Sequence, residues 1–244
     1  MIEIISVPRI NALGLKGPEN NEILLKKINH KIIEIKNDDI SEDEKKIFKF
    51  SNEYIKNNEK TLFVGGDHSI TYPIGKAFLK NNKSDYFFII FDAHPDCMPA
   101  MKEPTHEDYL TALIKSGLNP KNICLIGIRK LEPEEKKIIH KNKIRYLKPE
   151  EINKDTIDFL ERKIKNKKVY ISIDIDAIDP KYTPAVNYRE ENGINKRTFF
   201  KLLKRLLKLN IKTIDLVEFV PQNDKKNKSQ KTIKKLIKLI NNSL

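Results

Sequence analysis

The chain has 244 residues, 39% of them hydrophobic, and a formal net charge of +13. This length and hydrophobic content suffice for a buried core and argue against a disordered chain, while no apolar run approaches the roughly 20 residues that a membrane helix needs. The two cysteines, Cys97 and Cys124, show no pairing pattern, which argues against a disulfide scaffold or a thiolate zinc site and is typical of the reducing cytoplasm, where we expect the protein.

Short β-type segments alternate with longer helical patterns along the chain. In chain order, strands are predicted at 2–7, 31–35, 61–65, 85–91, 122–128, 143–147, 168–175 and 211–219. Helices, with apolar residues three and four positions apart, are predicted near 19–29, 41–58, 71–82, 105–116, 132–141, 154–166, 196–208 and 228–242. The alternation predicts an α/β fold in which a parallel sheet carries helices on both faces. No Pro/Gly/Ser-rich linker divides the chain, so we predict one domain over residues 1–244.

The positive charge raises the question of nucleic acid as a partner. The Lys-rich segments "KLLKRLLKLN" and "KKNKSQKTIKKLIKLI", however, mix lysine with Leu and Ile at helical spacing, as solvated helix faces do. They lack the interleaved aromatic and glycine residues of a base-stacking surface. We therefore expect neither nucleic acid nor a membrane as the main partner.

Four of the predicted strands end in polar residues. These are Asp67 and His68, then Asp92, His94 and Asp96, then Asp174, Asp176 and Asp179, and last Asp215 and Glu218. Taken singly, each has a structural explanation, such as a helix cap, a turn residue or a hydrogen-bonded histidine. Ligands of open α/β sheets bind beyond the carboxyl ends of the strands, so the clusters together indicate a functional site.

The segment "DAHPD" places three polar residues at alternate positions. Pro95 biases the residue before it toward extended conformations, so we predict that the chain stays extended after the strand. Alternate residues of an extended segment point to one face, which would bring Asp92, His94 and Asp96 together. Cys97 has the opposite parity and is predicted to be packed rather than to bind a metal.

Asp174 and Asp176 share a face by the same spacing. Carboxylates that converge at one sheet edge repel each other and are costly to bury, and a cation removes both difficulties. Two imidazoles and four carboxylates without a thiolate suit Mn²⁺ and could also accept Fe, Co, Ni or Zn. The four negative charges balance two divalent cations, which favours a two-metal site that activates a water molecule.

These motifs resemble those of the ureohydrolases, the arginase and agmatinase family. The matching segments, in the same order and with similar separations, are "GGDHS" at 65–69, "DAHPD" at 92–96, "SIDIDAIDP" at 172–180 and "DLVEFVP" at 215–221. Weaker similarities in "GLKGPENNE" near the N-terminus, "IGIR" at 126–129 and "NDKKNKSQKT" before the last helix extend the resemblance over nearly the whole chain. It implies a three-layer α/β/α fold around a mostly parallel sheet of about eight strands, of the arginase/deacetylase type.

The resemblance also implies residue roles. The implied ligands of two Mn²⁺ ions are His68, Asp92, Asp96 and Asp174 for one ion and His94, Asp92, Asp174 and Asp176 for the other, with Asp92 and Asp174 bridging. Glu218 would pair with the substrate guanidinium, and His106, in "EPTHEDYL", would be the general acid that protonates the leaving amine. The implied reaction is hydrolysis of a linear guanidino substrate, arginine or agmatine, to urea and an amine through a metal-bridging hydroxide.

Three departures from the family pattern leave the role of His106 and the substrate open. Glu107 and Asp108 follow His106 where the family usually has a small residue, so "PTHEDY" has the alternative interpretation of a helix start, with Thr105 as its cap. The loop after Pro180 is "KYTPAVNYREENG" instead of the expected Pro/Gly-rich loop, and residues that would grip an amino-acid carboxylate are not recognisable around 97–105.

Glu132 and Glu135 lie in "GIRKLEPEE", which resembles an arginase stretch whose acidic residues help to hold the substrate's α-amino group. The alternative is an ordinary helix start, because "EPEE" is also favourable first-turn chemistry. As a function, the alternative to an amidino hydrolase is a metal-binding family member without turnover, in a regulatory or structural role. Members of the family often form trimers or hexamers, which leaves a homo-oligomer open for this chain.

Overall fold

The computed structural model describes residues 2–11, 22–57 and 60–244. In this part of the chain one sheet of eight strands forms the centre, and all of its strand pairings are parallel, in the order β2-β1-β3-β8-β7-β4-β5-β6. The strands are β1 (Glu3–Val7), β2 (Lys31–Ile32), β3 (Thr61–Gly65), β4 (Tyr86–Phe91), β5 (Ile123–Ile126), β6 (Arg145–Leu147), β7 (Lys168–Asp174) and β8 (Ile211–Val217). The helices are α1 (Glu22–Leu25), α2 (Ile40–Asn57), α3 (Thr71–Asn81), α4 (Tyr109–Lys115), α5 (Pro133–Asn142), α6 (Lys154–Ile164), α7 (Lys196–Leu206) and α8 (Lys228–Ser243).

The predicted α/β fold is confirmed, and a strand or helix lies at each predicted place within the described residues. The differences are at element ends. The strand predicted at 31–35 is only two residues long, because it is an exposed edge strand that pairs with β1 alone. The helix predicted near 19–29 is described only from residue 22 and ends at Leu25. Most of the "GLKGPENNE" segment lies outside the described residues.

The sheet is buried on both faces. Residues of α1, α6, α7 and α8 pack in one hydrophobic core, and residues of α2, α3, α4 and α5 pack in the other. Strand β4 shows why: Phe87, Ile89 and Phe91 enter the first core, whereas Phe88 and Ile90 enter the second. Burial of one such side chain stabilises the fold by roughly 1.5–3 kcal/mol. A parallel strand that is covered on both sides is therefore a continuous apolar run.

The four strands that end in polar clusters are neighbours in the sheet, in the order β3-β8-β7-β4. Because they are parallel, their carboxyl ends meet at one edge. The sheet order therefore brings together the polar residues that are far apart in the sequence. Among the described helices, none has the length and apolar character needed to cross a bilayer.

Gly66, between β3 and this edge, has no room for a side chain. A Cβ there would lie 1.8 Å from the main-chain oxygen of Arg9, which is held because it accepts the N–H of Asp67. We expect Gly66→Ala to lower the free energy of unfolding by about 2 kcal/mol, since overpacking costs about 1–3 kcal/mol. Urea denaturation measures the change.

Gly75→Ala in α3 is the matched control. Its Cβ would meet the flexible end of Leu113 at 2.9 Å, and alanine is favoured over glycine inside a helix by about 1 kcal/mol. The control should therefore lose clearly less stability than Gly66→Ala. Equal losses would contradict the proposed backbone clash.

Candidate metal centre

The predicted metal ligands meet at the carboxyl edge of the sheet. His68 begins a 3-10 turn after β3, Asp92 follows β4, and Asp174 is the last residue of β7. Their ligand atoms form two overlapping groups, His68–Asp92–Asp174 and Asp92–His94–Asp176, and the atoms in each group lie within 4.8 Å of one another. Asp92 belongs to both groups, as a bridging ligand would.

The chain does not stay extended after Asp92, so this prediction is wrong. It bends at residues 93–94, and Asp96 has a left-handed backbone with φ 49°. The reason is that Asp92 Oδ1 accepts the N–H of His94 at 2.7 Å, a local turn that competes with extended backbone. The side chains nevertheless converge, and Asp96 Oδ2 lies 3.0 Å from Nδ1 of His68.

The same local chemistry shapes the end of β7. Asp174 Oδ1 accepts the N–H of Asp176 at 2.7 Å, which folds Ile175–Ala177 into a 3-10 turn. The even spacing of the two aspartates therefore does not act through strand alternation, as the sequence had predicted. Both carboxylates still face the centre.

Backbone donors orient three of the carboxylates. In Asp92, Asp174 and Asp176, Oδ1 accepts a main-chain N–H, from His94, Asp176 and Ala93 respectively. The other oxygen, Oδ2, faces the Nδ1 atom of a histidine. For His68, this distance is 3.0 Å to Asp92 and 3.6 Å to Asp174. For His94, it is 3.0 Å to Asp176. Each carboxylate thus has one oxygen fixed by the backbone and one directed to the centre.

A buried chain of hydroxyl groups orients His68 from behind. Its Nε2 lies 2.8 Å from Ser172 Oγ, and Ser172 in turn donates to Asp215 at 2.5 Å. Asp215 also accepts hydrogen bonds from Thr71 and Tyr170. Since the single hydroxyl proton of Ser172 goes to Asp215, its oxygen accepts the Nε2 proton of His68. With Nε2 held in this way, Nδ1 is the ring nitrogen that faces the carboxylates of Asp92 and Asp96.

This arrangement fits a cation. Among the described residues, Nδ1 of His68 and Oδ2 of Asp92 are buried, lie 3.0 Å apart and have no hydrogen-bond partner. Although burial opposes it, the carboxylates of Asp92 and Asp96 raise the pKa of His68 well above its usual range. Burial, together with the charge of Asp92, raises the pKa of Asp96 to about 8. Burial, together with neighbouring carboxylates, also raises the pKa of Asp174 well above its usual range. Without a cation, protons would therefore have to neutralise part of the cluster, whereas a divalent ion such as Mn²⁺ suits this imidazole and carboxylate donor set.

A cavity of about 370 Å³ adjoins the centre, and Glu218 and His106 both line it. Glu218 follows β8 with a left-handed backbone, φ 66°, and its Oε1 accepts the N–H of His68 at 2.8 Å. The other oxygen is left for a ligand. Burial, followed by the charge of Asp67, raises the pKa of the Glu218 carboxyl group well above its usual range, so a cationic ligand would be favoured beside it.

His106 lies in a turn before α4. The alternative that Thr105 caps a helix is wrong, because α4 begins only at Tyr109, with Asp108 at the cap position. Asp108 instead accepts the N–H and the hydroxyl of Thr105, at 2.7 Å and 2.5 Å, and this closes the turn. Among the described residues neither ring nitrogen of buried His106 has a hydrogen-bond partner, and the ring stacks on Tyr188 with centroids 6.3 Å apart. The ring lines the cavity, and its hydrogen-bonding capacity is not used by the described residues.

The start of α5 uses Glu135 for its own structure. This carboxylate accepts the N–H of Glu132 at 3.0 Å and that of Cys97 at 3.2 Å. Glu132 lies 3.4 Å from the Lys130 ammonium group and is half exposed. Both glutamates also line the cavity. Cys97 is fully buried within a hydrophobic core, and the prediction that it is packed is confirmed.

Several site residues were missed in the sequence. Ser172 could have been found, because it is a polar residue two positions before Asp174 inside an apolar strand. Tyr188 and Glu190 line the cavity from the loop after Pro180. No local pattern marks these two, because only the folded loop brings them to the cavity.

Comparisons with known proteins agree with this geometry. A family model described as the Arginase family matches residues 10–242. An agmatinase from Neisseria meningitidis serogroup C is 31% identical over 181 residues, which cover 70% of this chain and 55% of that protein. Mitochondrial arginase 1 from Arabidopsis thaliana is 29% identical over 170 residues, which cover 68% of this chain and 49% of that protein. The match thus spans about half the length of these curated relatives.

Solved structures share the fold. The arginase from Bacillus subtilis superimposes with a TM-score of 0.85 at 23% identity, covering 98% of this chain and 97% of that chain. A formimidoylglutamase from the same species gives a TM-score of 0.86 at 18% identity, and the match covers 99% of this chain and 86% of that chain. At such low sequence identities, these matches show that the fold is shared and nothing more specific.

The ligand geometry predicts that the metal-free protein takes up two equivalents of Mn²⁺. Bound metal should raise the melting temperature, since a free concentration 100 times the Kd stabilises the folded state by about 2.7 kcal/mol. Asp92→Asn should lose uptake at both positions, because Asp92 belongs to both ligand groups. Metal analysis after dialysis and thermal melting measure these effects.

Asp179→Asn is the matched control, because Asp179 is a nearby buried aspartate that belongs to neither ligand group and accepts the N–H of Lys181. It should retain both equivalents. Wild-type uptake by Asp92→Asn would contradict the assignment.

The burial of both cysteines predicts inert thiols. Burial raises the pKa of Cys124 to about 12 and raises the pKa of Cys97 still further. Neither should therefore react with an aromatic disulfide reagent at mildly alkaline pH, because the thiolate is the reactive form. Both should react in urea, and absorbance counts the thiols. A reactive thiol in the native protein would show that one of these sites is open.

Proposed function

Because the chain belongs to the arginase family, we propose that it is a metal-dependent amidino hydrolase, which splits the guanidino group of a linear substrate such as arginine or agmatine into urea and an amine. One observation carries the proposal. The side chains predicted to bind two Mn²⁺ ions border one cavity or the buried centre beside it, and Glu218 and His106 line the same cavity. Fe, Co, Ni or Zn would also suit the donors.

Two ions would be held by the residues assigned from the sequence: His68, Asp92, Asp96, His94, Asp174 and Asp176. When bound, such ions lower the pKa of a water between them, so that hydroxide is available near neutral pH. Asp92 fits the bridging position because it belongs to both ligand groups. Asp174 remains the second proposed bridge.

Glu218 supplies the contact for the substrate guanidinium. One carboxylate oxygen is already engaged by the N–H of His68, so the carboxylate cannot rotate freely. The second oxygen can accept from the planar guanidinium, which places the carbon beside the centre. Because burial raises the pKa of Glu218, a cationic head group beside it would stabilise the ionised carboxylate.

His106 supplies the proton for the leaving amine. Its ring is fixed by stacking on Tyr188 and by the turn that Asp108 closes, while both nitrogens remain unpaired among the described residues. An imidazole held at this place can donate a proton to the leaving amine. Glu107 Oε1 lies 3.8 Å from Nε2 of His106.

The charges around the cavity favour a substrate that ends in an amine. Among the described lining residues Lys130 is the only lysine or arginine, and it faces the carboxylate of Glu132 at 3.4 Å. Glu107 and Glu190 add two further negative charges to the lining. An amine at the far end of the substrate would find partners here, whereas a carboxylate would not. Agmatine is therefore the better candidate than arginine.

Urea release by the Mn²⁺-loaded protein tests the function. Agmatine and 4-guanidinobutyrate are a matched pair, because they present an amine and a carboxylate at the far end of similar chains. We expect kcat/KM for agmatine to exceed that for guanidinobutyrate by at least about tenfold, equivalent to about 1.4 kcal/mol, with arginine between them. His106→Asn should lower kcat by about 10²–10⁴-fold.

Two outcomes would decide against this proposal. Full metal uptake without urea from any of the three substrates would favour the alternative, a family member that binds metal without turnover in a regulatory or structural role. If guanidinobutyrate were hydrolysed in preference to agmatine, the proposed hydrolase activity would stand. The proposed preference for a substrate that ends in an amine would be wrong.

A further inference from the structure

Arg129 joins three segments at the edge of the cavity. Within the described part of the chain, its guanidinium donates to main-chain oxygens and to no side chain. They belong to Gly127 (Nη1, 3.1 Å), Asp176 (Nη2, 2.7 Å), Glu190 (Nη2, 2.7 Å; Nε, 3.2 Å) and Glu191 (Nε, 3.0 Å). One side chain therefore ties the end of β5 to the turn after β7 and to the cavity loop, defined here as residues 181–193.

The backbone at Arg129 reaches the remaining ligand segment. The N–H groups of Arg129 and Lys130 both donate to the main-chain oxygen of Ala93, at 3.0 Å and 3.1 Å. Ala93 lies between Asp92 and His94. The residue thus contacts the segments that carry both groups of ligands, although none of its own atoms is a ligand.

Glu190 brings the cavity loop close to the proposed metal ligand His94. Its Oε1 lies 3.8 Å from Nε2 of His94, while Nδ1 of the same ring lies 3.0 Å from Asp176 Oδ2. At 3.8 Å the two groups are at ion-pair distance and not hydrogen-bonded, so the Glu190 carboxylate acts on the outer side of the His94 ring through its charge and favours one ring orientation. His68 has Ser172 and Asp215 in this place, whereas Glu190 is the carboxylate that faces the outer nitrogen of His94.

We infer that Arg129 and Glu190 are positioning residues that couple the cavity loop to the His94 ligand group. Arg129 holds the main chain of the loop against that of Asp176, and this places the Glu190 carboxylate behind His94. The inference rests on the proposed function insofar as His94 binds a metal. It gives the cavity loop two roles, because the same segment supplies Tyr188 to the substrate cavity.

Lysine cannot replace this arginine. The guanidinium is a planar fork of five donors, and its four acceptors lie on three separate segments. An ammonium group has three donors on a flexible stem and would reach only part of this set. Arg129→Lys therefore removes the clamp while it retains the positive charge.

Arg189→Lys is the matched control. Arg189 belongs to the same loop, is exposed and donates to one main-chain oxygen, that of Pro184, at 2.7 Å. Hydrogen exchange of loop peptides in metal-free protein measures the clamp. Isothermal titration with Mn²⁺ measures the two binding steps.

We expect Arg129→Lys to exchange its loop amides at least about tenfold faster than Arg189→Lys does, and to lose about 10–100-fold in affinity for one of the two Mn²⁺ ions, the range typical of outer ligand partners. Glu190→Gln should leave the exchange rate of the loop amides unchanged and lower the affinity for that Mn²⁺ alone, by about tenfold. This split separates the clamp from the orientation of His94.

The inference would be overturned if Arg129→Lys matched Arg189→Lys in exchange and in both binding steps. Equal affinities of Glu190→Gln and the unmodified protein would remove the role of Glu190. If the unmodified protein bound no Mn²⁺, the proposed function would fall, and the role of Glu190 with it. The exchange comparison would still test the clamp on its own.

Discussion

The burial of several carboxylates around His68 and His94 is the constraint on which the rest of the site depends. Removal of a charged group from water costs several kcal/mol unless other groups compensate for it. Parallel strands deliver Asp92 and Asp174 to one sheet edge, and tight turns add Asp96 and Asp176. Backbone N–H groups compensate on one oxygen of most of them, and the other oxygen is left for a cation or a proton. The same turns that satisfy the first oxygen direct the second to the centre.

Other buried acids show what a structural carboxylate looks like in this protein. They accept hydrogen bonds from protein donors on several sides: Asp67 from Asn11 and Ser69, Asp108 from Met101 and Thr105, Glu135 from Cys97 and Glu132, and Asp215 from Thr71, Tyr170 and Ser172. These acids hold the turns and side chains that carry the site. The aspartates proposed as ligands differ because one oxygen of each is left facing an imidazole nitrogen. Hydrogen bonding, more than burial, therefore separates the two groups.

The side of the cavity proposed to bind the substrate is built differently from the side proposed to hold the metals. The metal side uses strand ends and tight turns that belong to the sheet, whereas the cavity loop of residues 181–193 and the turn around His106 form the opposite wall. Arg129 ties that loop to the main chain of Asp176. A loop that is joined to the metal side in this way can change its lining residues, and thus the substrate, while the ligand geometry is kept. The departure of this loop from the family pattern is consistent with such a change.

The sequence by itself determined the strands, the helices, the parallel sheet and the identity of the residues at its carboxyl edge, because hydrophobic periodicity and strand-end polarity are local properties. It did not determine how those residues converge. Extended backbone was expected after Asp92, but the carboxylates of Asp92 and Asp174 each capture an N–H two residues on and bend the chain. Tertiary structure alone decided that Ser172 stands behind His68, that Glu135 serves the backbone, and that Tyr188 and Glu190 face the cavity. These contacts join residues far apart in the chain, and only the packed sheet and its loops set the distances between them.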